Sequence, residues 1–249
     1  MNTVFTAIIL GAGFLSGQAS TKEISTIPAR PDAHRLRTGQ FVYRDSTNGK
    51  KVGTSRITIE TTAAGGDYDF SAETIGDSDQ QWESIATSSF VPLSAKLSFG
   101  KAANSSPAFD LRYTLGRVSG YAVNRTGPNL RSRRSVDAFV SADTVDQRID
   151  WATVLASDLQ PGGHFQFSVY DPGTGISHVL AQVGPLERLH VPAGFFNVFR
   201  ITYCVNKATG AEKYIVFASE HLPRVMVRED FPDGTSSELV EATARRAHP

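Results

Sequence analysis

The sequence predicts a mainly β protein: one large, curved antiparallel sheet, an open or half β-barrel of about a dozen strands, with one principal helix. Three observations predict it. Turn residues recur roughly every ten positions between short alternating segments, the rhythm of an antiparallel meander. Val and Thr each outnumber Leu, which favours strands because β-branched side chains pack well on a pleated surface. Only one stretch carries a helical period.

Residues 1–19 carry no charged side chain, and residues 4–15 (VFTAIILGAGFL) form an apolar run of signal-peptide length, too short to span a bilayer. Gly17 and Ala19 stand three and one positions before a cut that leaves Ser20 first, while Met1 to Thr3 lack the usual Lys or Arg. Residues 1–19 are therefore expected to be a cleaved signal peptide. No cysteine follows to accept a lipid, so the exported chain is expected to be soluble, without stable membrane insertion, and periplasmic or secreted. Residues 20–38, with Pro28 and Pro31, read as an extended lead-in, and residues 39–244 as a single β-barrel-like domain.

Within that domain, Phe41-Val42-Tyr43 runs into Asn48-Gly49, a strong hairpin signal because both residues tolerate positive φ. Strands follow at residues 54–61, 68–75, 82–91, 95–99, 109–115 and 118–123, then a loop at 127–134. Val145, Ile149, Ala152 and Ala156 next recur at helical steps, with Trp151, Leu155 and Leu159 beside them. Asp143 or Thr144 can cap this helix, Pro161-Gly162-Gly163 ends it, and Asp146 and Asp150 are expected on its polar side. The meander resumes at residues 165–170, 176–183, 186–191, 195–205, 213–218, 224–230 and 236–240, with a Pro192-Ala193-Gly194 turn. In residues 195–205 one face holds Phe195, Phe199, Ile201, Tyr203 and Val205, and the other also begins apolar, so this strand is expected to be covered on both sides near its start.

Composition restricts the function classes. Lys plus Arg number 25 and Asp plus Glu 25 in 249 residues, so no global field favours nucleic acid or acidic lipid. Arg131, Arg133 and Arg134 cluster locally and read as a solvated loop. Cys204 is the one cysteine, which leaves no internal disulfide and no multi-cysteine zinc site, and its strand context reads as buried and inert. The six histidines show no metal-ligand spacing, although His178 and His190 could meet across a hairpin. No G-x-S-x-G presents a serine, and Glu229 and Asp230 point to opposite faces of one strand, so no acid–base pair is visible. The expectation is of no enzyme, no metal and no cofactor.

The second half carries a resemblance. A helix ending in Asp158, Leu159, Pro161 and Gly162 precedes Phe165 to Asp171 (FQFSVYD), then Glu187 to Val198 (ERLHVPAGFFNV), Tyr214 to Ser219 (YIVFAS), Leu222-Pro223-Arg224 and Asp233 to Leu239 (DGTSSEL). This order resembles a widespread family of bacterial periplasmic proteins of unknown function, whose members are similar in fold to the open β-barrel carriers that localise lipoproteins to the outer membrane. It extends over residues 146–240, and over residues 39–123 in strand rhythm only; Phe217 stands where Trp is usual. The resemblance implies a half-barrel and a periplasmic address, and no catalytic residues.

Combined with the two-sided apolar strands, it suggests a soluble periplasmic binding protein for a lipid or other apolar or amphipathic ligand, or for an envelope protein partner. The alternative is an envelope scaffold or assembly factor with a filled barrel and no ligand. Period-2 alternation nominates Phe165, Phe167, Phe199, Ile201 and Tyr203 as the ligand-binding face.

Overall fold

Asn48 and Gly49, at φ of 51° and 75°, turn the first hairpin as their residue types require, joining β2 (Gly39–Thr47) to β3 (Lys50–Thr61). The computed structural model describes residues 27–243 except 64, 77–78, 101–104, 126–130 and 209. The signal-peptide reading and the first part of the lead-in lie outside the described residues. β1 (Ile27–Pro28) precedes this hairpin, and the meander continues through β4 (Asp67–Gly76), β5 (Gln80–Thr87), β6 (Pro92–Phe99), β7 (Ser106–Thr114), β8 (Arg117–Arg125) and β9 (Arg131–Phe139). Then come β10 (Thr144–Asp146), α1 (Asp150–Ala156), β11 (His164–Asp171), β12 (Gly175–Val191), β13 (Gly194–Lys207), β14 (Gly210–Ser219), β15 (Met226–Asp230) and β16 (Thr235–Thr243).

These strands form one open sheet in the order β1-β11-β12-β13-β14-β15-β16-β2-β3-β4-β5-β6-β7-β8-β9, with β10 also on β11. Every long pairing is antiparallel; only the short β1 and β10 run parallel to β11. The predicted curved, open, mainly β sheet with a single helix is thus the observed architecture, with sixteen strands among the described residues. The extra strands are the short β1 and β10 and the edge strand β9, which lack an alternating pattern strong enough to read.

The sheet rolls until its ends overlap without pairing. Phe165, Phe167 and Val169 of β11 face the main core, whereas Tyr170, on the opposite face, packs in a second cluster with Phe109, Leu111 and Tyr113 of β7. Side chains rivet the overlap. Tyr113 donates a 2.6 Å hydrogen bond to Asp146, and Arg148 binds Asp146 and Asp171 at 2.6 Å each while lying 4.6 Å from the centre of the Phe109 ring. Arg134 of β9 donates to the carbonyl of Pro172, beyond the end of β11.

α1 lies inside the roll with all seven of its residues buried. Apolar residues on every side of a helix require cover on every side. The helix predicted from residue 145 begins later, because Val145 pairs with Val169 in β10 and residues Gln147–Ile149 form a 3-10 turn first. Asp146 and Asp150 are consequently buried, not on a polar side: the connection faces protein on all sides.

Other expectations are corrected by local geometry. The last part of the loop expected at residues 127–134 is strand, in which Arg133 stacks on Tyr121 at 3.6 Å and Arg134 also donates to Asn124. Residues 176–191 form a single strand with a bulge between Val183 and Leu186, where Pro185 has no N–H to give. β13 is covered on both sides near its start, at the adjacent buried residues Val198 and Phe199, but not at its first residues. Phe195 remains 64% exposed, with the Arg188 and His190 side chains of the same hairpin against its ring. His178 and His190 do not meet, since both lie on β12, opposite Asn206 and Phe195. Cys204 is half-buried rather than buried, on the outer face of β13 with Arg200 and Thr202.

Candidate functional site at the mouth of the roll

Along the inward face of several strands, apolar residues give way to polar ones in the same direction. Phe41 and Tyr43 lead to Asp45 in β2; Ile59 and Ile57 lead to Ser55 in β3; Phe70 and Ala72 lead to Thr74 in β4. Phe199 and Ile201 lead to Tyr203 in β13. The roll is therefore filled at one end by α1 and its apolar neighbours and hollow at the other. The hollow is an open cavity of about 640 Å³, floored by Arg148, Asp150 and Trp151 and walled by β2 to β6 and β13 to β16.

Registry sets the polar groups in order. Glu229, Ser237 and Asp45 are successive cross-strand partners on β15, β16 and β2. Asp45 accepts from Ser237 at 2.6 Å and from Ser55 at 2.7 Å, so its buried carboxylate is satisfied by hydroxyls. Glu229 accepts a 2.8 Å bond from the Tyr203 hydroxyl, and Tyr203 stacks on Tyr214 with ring centres 5.0 Å apart. Tyr214 and Lys207 both donate to Glu212, at 2.8 and 2.6 Å. From the floor, Asp150 accepts from the backbone N–H of Trp151 at 2.6 Å.

Asp150 and Glu229 are 6% and 5% exposed. Burial raises the Asp150 carboxyl to about 7, against the opposing pull of the Trp151 N–H and the Arg148 charge. Burial, reinforced by the Asp150 charge, raises Glu229 to about 8 despite the bond from Tyr203. Near neutrality these carboxyls exchange protons with modest changes in surroundings. Chemically, the pair can donate hydrogen bonds when protonated and balance a cation when ionised.

Of the five residues nominated from sequence, Tyr203 alone lines this cavity. Phe165, Phe167, Phe199 and Ile201 are brought together, but in the main core, with all four buried. Sequence reasoning missed Asp45, Asp150 and Glu229. A usable signal exists for two of them: period 2 puts Asp45 on the face of Phe41 and Tyr43, and Glu229 on the face of Val225 and Val227. Among the described residues, no cluster of three or more His, Cys, Asp or Glu side chains has the geometry to hold a metal ion.

Residues 38–240 match a protein family of unknown function, DUF3108. The chain belongs to that family. The DUF3108 fold is similar to that of a solved β-barrel-like protein of another domain of unknown function, DUF1849, from Brucella abortus: the TM-score is 0.53 at 10% identity, covering 83% of this chain and 97% of that one. Two further structures score lower. A candidate exported protein with a YmcC-like fold from Bacteroides fragilis has a TM-score of 0.37 at 11% identity, over 88% of this chain and 98% of its own. A candidate lipoprotein from Parabacteroides distasonis has a TM-score of 0.35 at 11% identity, over 88% and 100%. No curated protein matches. A barrel-like member of a family of unknown function is what the resemblance in residues 146–240 implies. Among the described residues no helix is long and apolar enough to cross a membrane.

Proposed function

We propose that this DUF3108 protein is an exported, periplasmic binding protein that holds one small amphipathic molecule in the mouth of its rolled sheet, without chemical conversion. The observation that carries the reading is the division of the roll into a solid apolar end and a cavity of about 640 Å³. That volume lies within the range of small-molecule sites. Trp82, Trp151 and Tyr214 offer an aromatic wall to a hydrocarbon body, and buried polar groups stand ready to orient a head group. A scaffold needs no such hollow, and a core filled from end to end would favour that alternative. The uncharged apolar run at residues 4–15 supports export.

Native mass spectrometry of protein purified from its own host tests the reading. A co-purifying small molecule, released unchanged on denaturation and displaced by an apolar dye, is the expected result. Protein free of any adduct that also fails to bind the dye saturably overturns it and leaves the scaffold ahead.

A further inference from the structure

The charge of the mouth cavity determines what kind of head group can enter it. Its lining includes the carboxyl side chains of Asp45, Asp150, Asp171, Glu229 and Asp233, and only one base, Arg148. That base is already committed: Arg148 binds Asp146 and Asp171 at 2.6 Å each. Lys207, whose charge reaches Asp150, is held by Glu212 at 2.6 Å. Among the described residues no Lys, Arg or His side chain pairs with Asp45, Asp150 or Glu229. Two of these carboxyls are also short of donors, since Asp150 receives one backbone N–H and Glu229 one tyrosine hydroxyl. No second protein donor reaches either group among the described hydrogen bonds, and an ionised carboxyl so deeply buried is costly unless a cation or a proton arrives.

We propose that the cavity selects a cationic amphiphile, an ammonium group on a hydrocarbon body, whose charge lies between Asp150 on the floor and Glu229 on the wall, with the Tyr203–Tyr214 stack beside it. This rests on the ligand-binding reading above and gives that ligand its chemical class. Once these acids ionise, an anionic head meets carboxylates that no free base balances, which disfavours phosphate, sulfonate and carboxylate amphiphiles. An ammonium neutralises the acids and gains the faces of aromatic rings. Without a cation, burial leaves Glu229 mostly protonated and Asp150 about half protonated at neutral pH, the buried acid's way of shedding an unpaired charge. Cation binding must therefore expel protons, and it strengthens as pH rises. The groups that face the pair are accounted for: Asp150 meets Arg148, Asp146, Lys207, Tyr203, Tyr214 and Glu229, and Glu229 meets Tyr203, Tyr214, Tyr43, Asp150 and Asp230. Of these, Asp150 and Glu229 are the groups whose proton exchange is moved to near-neutral pH.

The protein has two tryptophans, Trp82 and Trp151, and both line the cavity, so intrinsic fluorescence reports occupancy directly. Three probes with the same decyl chain separate head-group charge from hydrophobicity: decyltrimethylammonium, decanol and decanesulfonate. The ammonium probe does not titrate, so any pH dependence belongs to the protein. The expected result is saturable ammonium binding that tightens at least about tenfold from pH 6 to pH 9, weaker decanol binding that does not, and no sulfonate binding. Glu229→Gln and Asp150→Asn should each flatten that dependence while leaving decanol affinity within about twofold. If a variant misfolds, the wild-type pH series still decides. Equal binding of all three probes, or preference for the sulfonate, overturns the cationic inference and leaves the ligand-binding reading standing. Failure of every probe to bind overturns both.

Discussion

Arg224 ends the buried helix: its Nη1 donates to the carbonyl oxygens of Leu155 and Ser157, at 2.8 and 2.9 Å. The last carbonyls of a helix have no partner within it, and inside an apolar core water cannot serve them. Asp32 supplies a third donor, its backbone N–H to Ala156. The Leu-Pro-Arg segment between β14 and β15, one of the pieces that carries the family resemblance, thus has a physical reason for its arginine. Arg224 is itself buried, and burial, with the Arg35 charge nearby, lowers its guanidinium to about 10, so it stays charged at neutral pH.

Arg224→Met should destabilise the fold by about 2 to 4 kcal/mol, because two buried carbonyls lose a charge-assisted donor. Arg224→Lys should recover only part of this, since the lysine nitrogen ends one bond short of the position of Nη1. Urea denaturation of the three proteins measures both effects. A loss no larger than that of an exposed substitution would contradict the capping role.

Stability should fall as pH rises from about 5 to about 9. Asp150 and Glu229 have folded-state values, about 7 and about 8, above those of an unfolded chain. Within that window the native state binds more protons than the unfolded state, so each step up in pH costs native stability, and the effect levels off above both folded values. Asp150→Asn and Glu229→Gln should each remove part of the slope, as read from denaturation midpoints at pH 5, 7 and 9.

Phe199→Ala and Phe167→Ala should each cost about 3 to 5 kcal/mol by leaving a void in the packed end of the roll. Neither change opens the mouth cavity, so saturable dye binding should survive in whatever fraction remains folded. Tyr214→Ala, at the cavity wall, should do the opposite: alter dye affinity more than the urea midpoint. A reversal of that pattern would show that ligands enter among the phenylalanines.

Arg148→Met should cost about 3 to 5 kcal/mol, since it strands the fully buried Asp146 carboxylate at the overlap. Tyr113→Phe, which leaves Arg148 in place, should cost about 1 to 2 kcal/mol. Asp137→Ala, which breaks the exposed pair with Arg117, should leave the melting temperature almost unchanged. Thermal melts of the three variants rank the contributions.

The sequence made the architecture legible wherever alternation was strong and turns were marked, as at Asn48-Gly49 and at Gly194, which takes a φ of 122°. Two kinds of feature were hidden. Residues 145–149 have both a helical step and a strand's β-branched ends, and only pairing with β11 decides that Val145 is strand. The candidate site was hidden for a different reason: Asp45 and Glu229 are acidic, and an acid on an otherwise apolar face reads as a strand's exposed end until the neighbours are known. Phe165, Phe167 and Phe199 were legible as inward-facing, but period 2 gives the face and not the depth. Depth decides whether a side chain meets α1 or the hollow.

The pairing of β16 with β2 joins Thr47 to Thr235 by a 3.1 Å hydroxyl contact across 188 residues of chain. During synthesis β2 therefore waits with one edge unsatisfied until almost the whole domain has been made, and two separate meanders must search for each other before the middle of the sheet exists. Contacts so distant in sequence place such a chain among slow folders. They also leave a long interval in which the free strand edge is open to strangers.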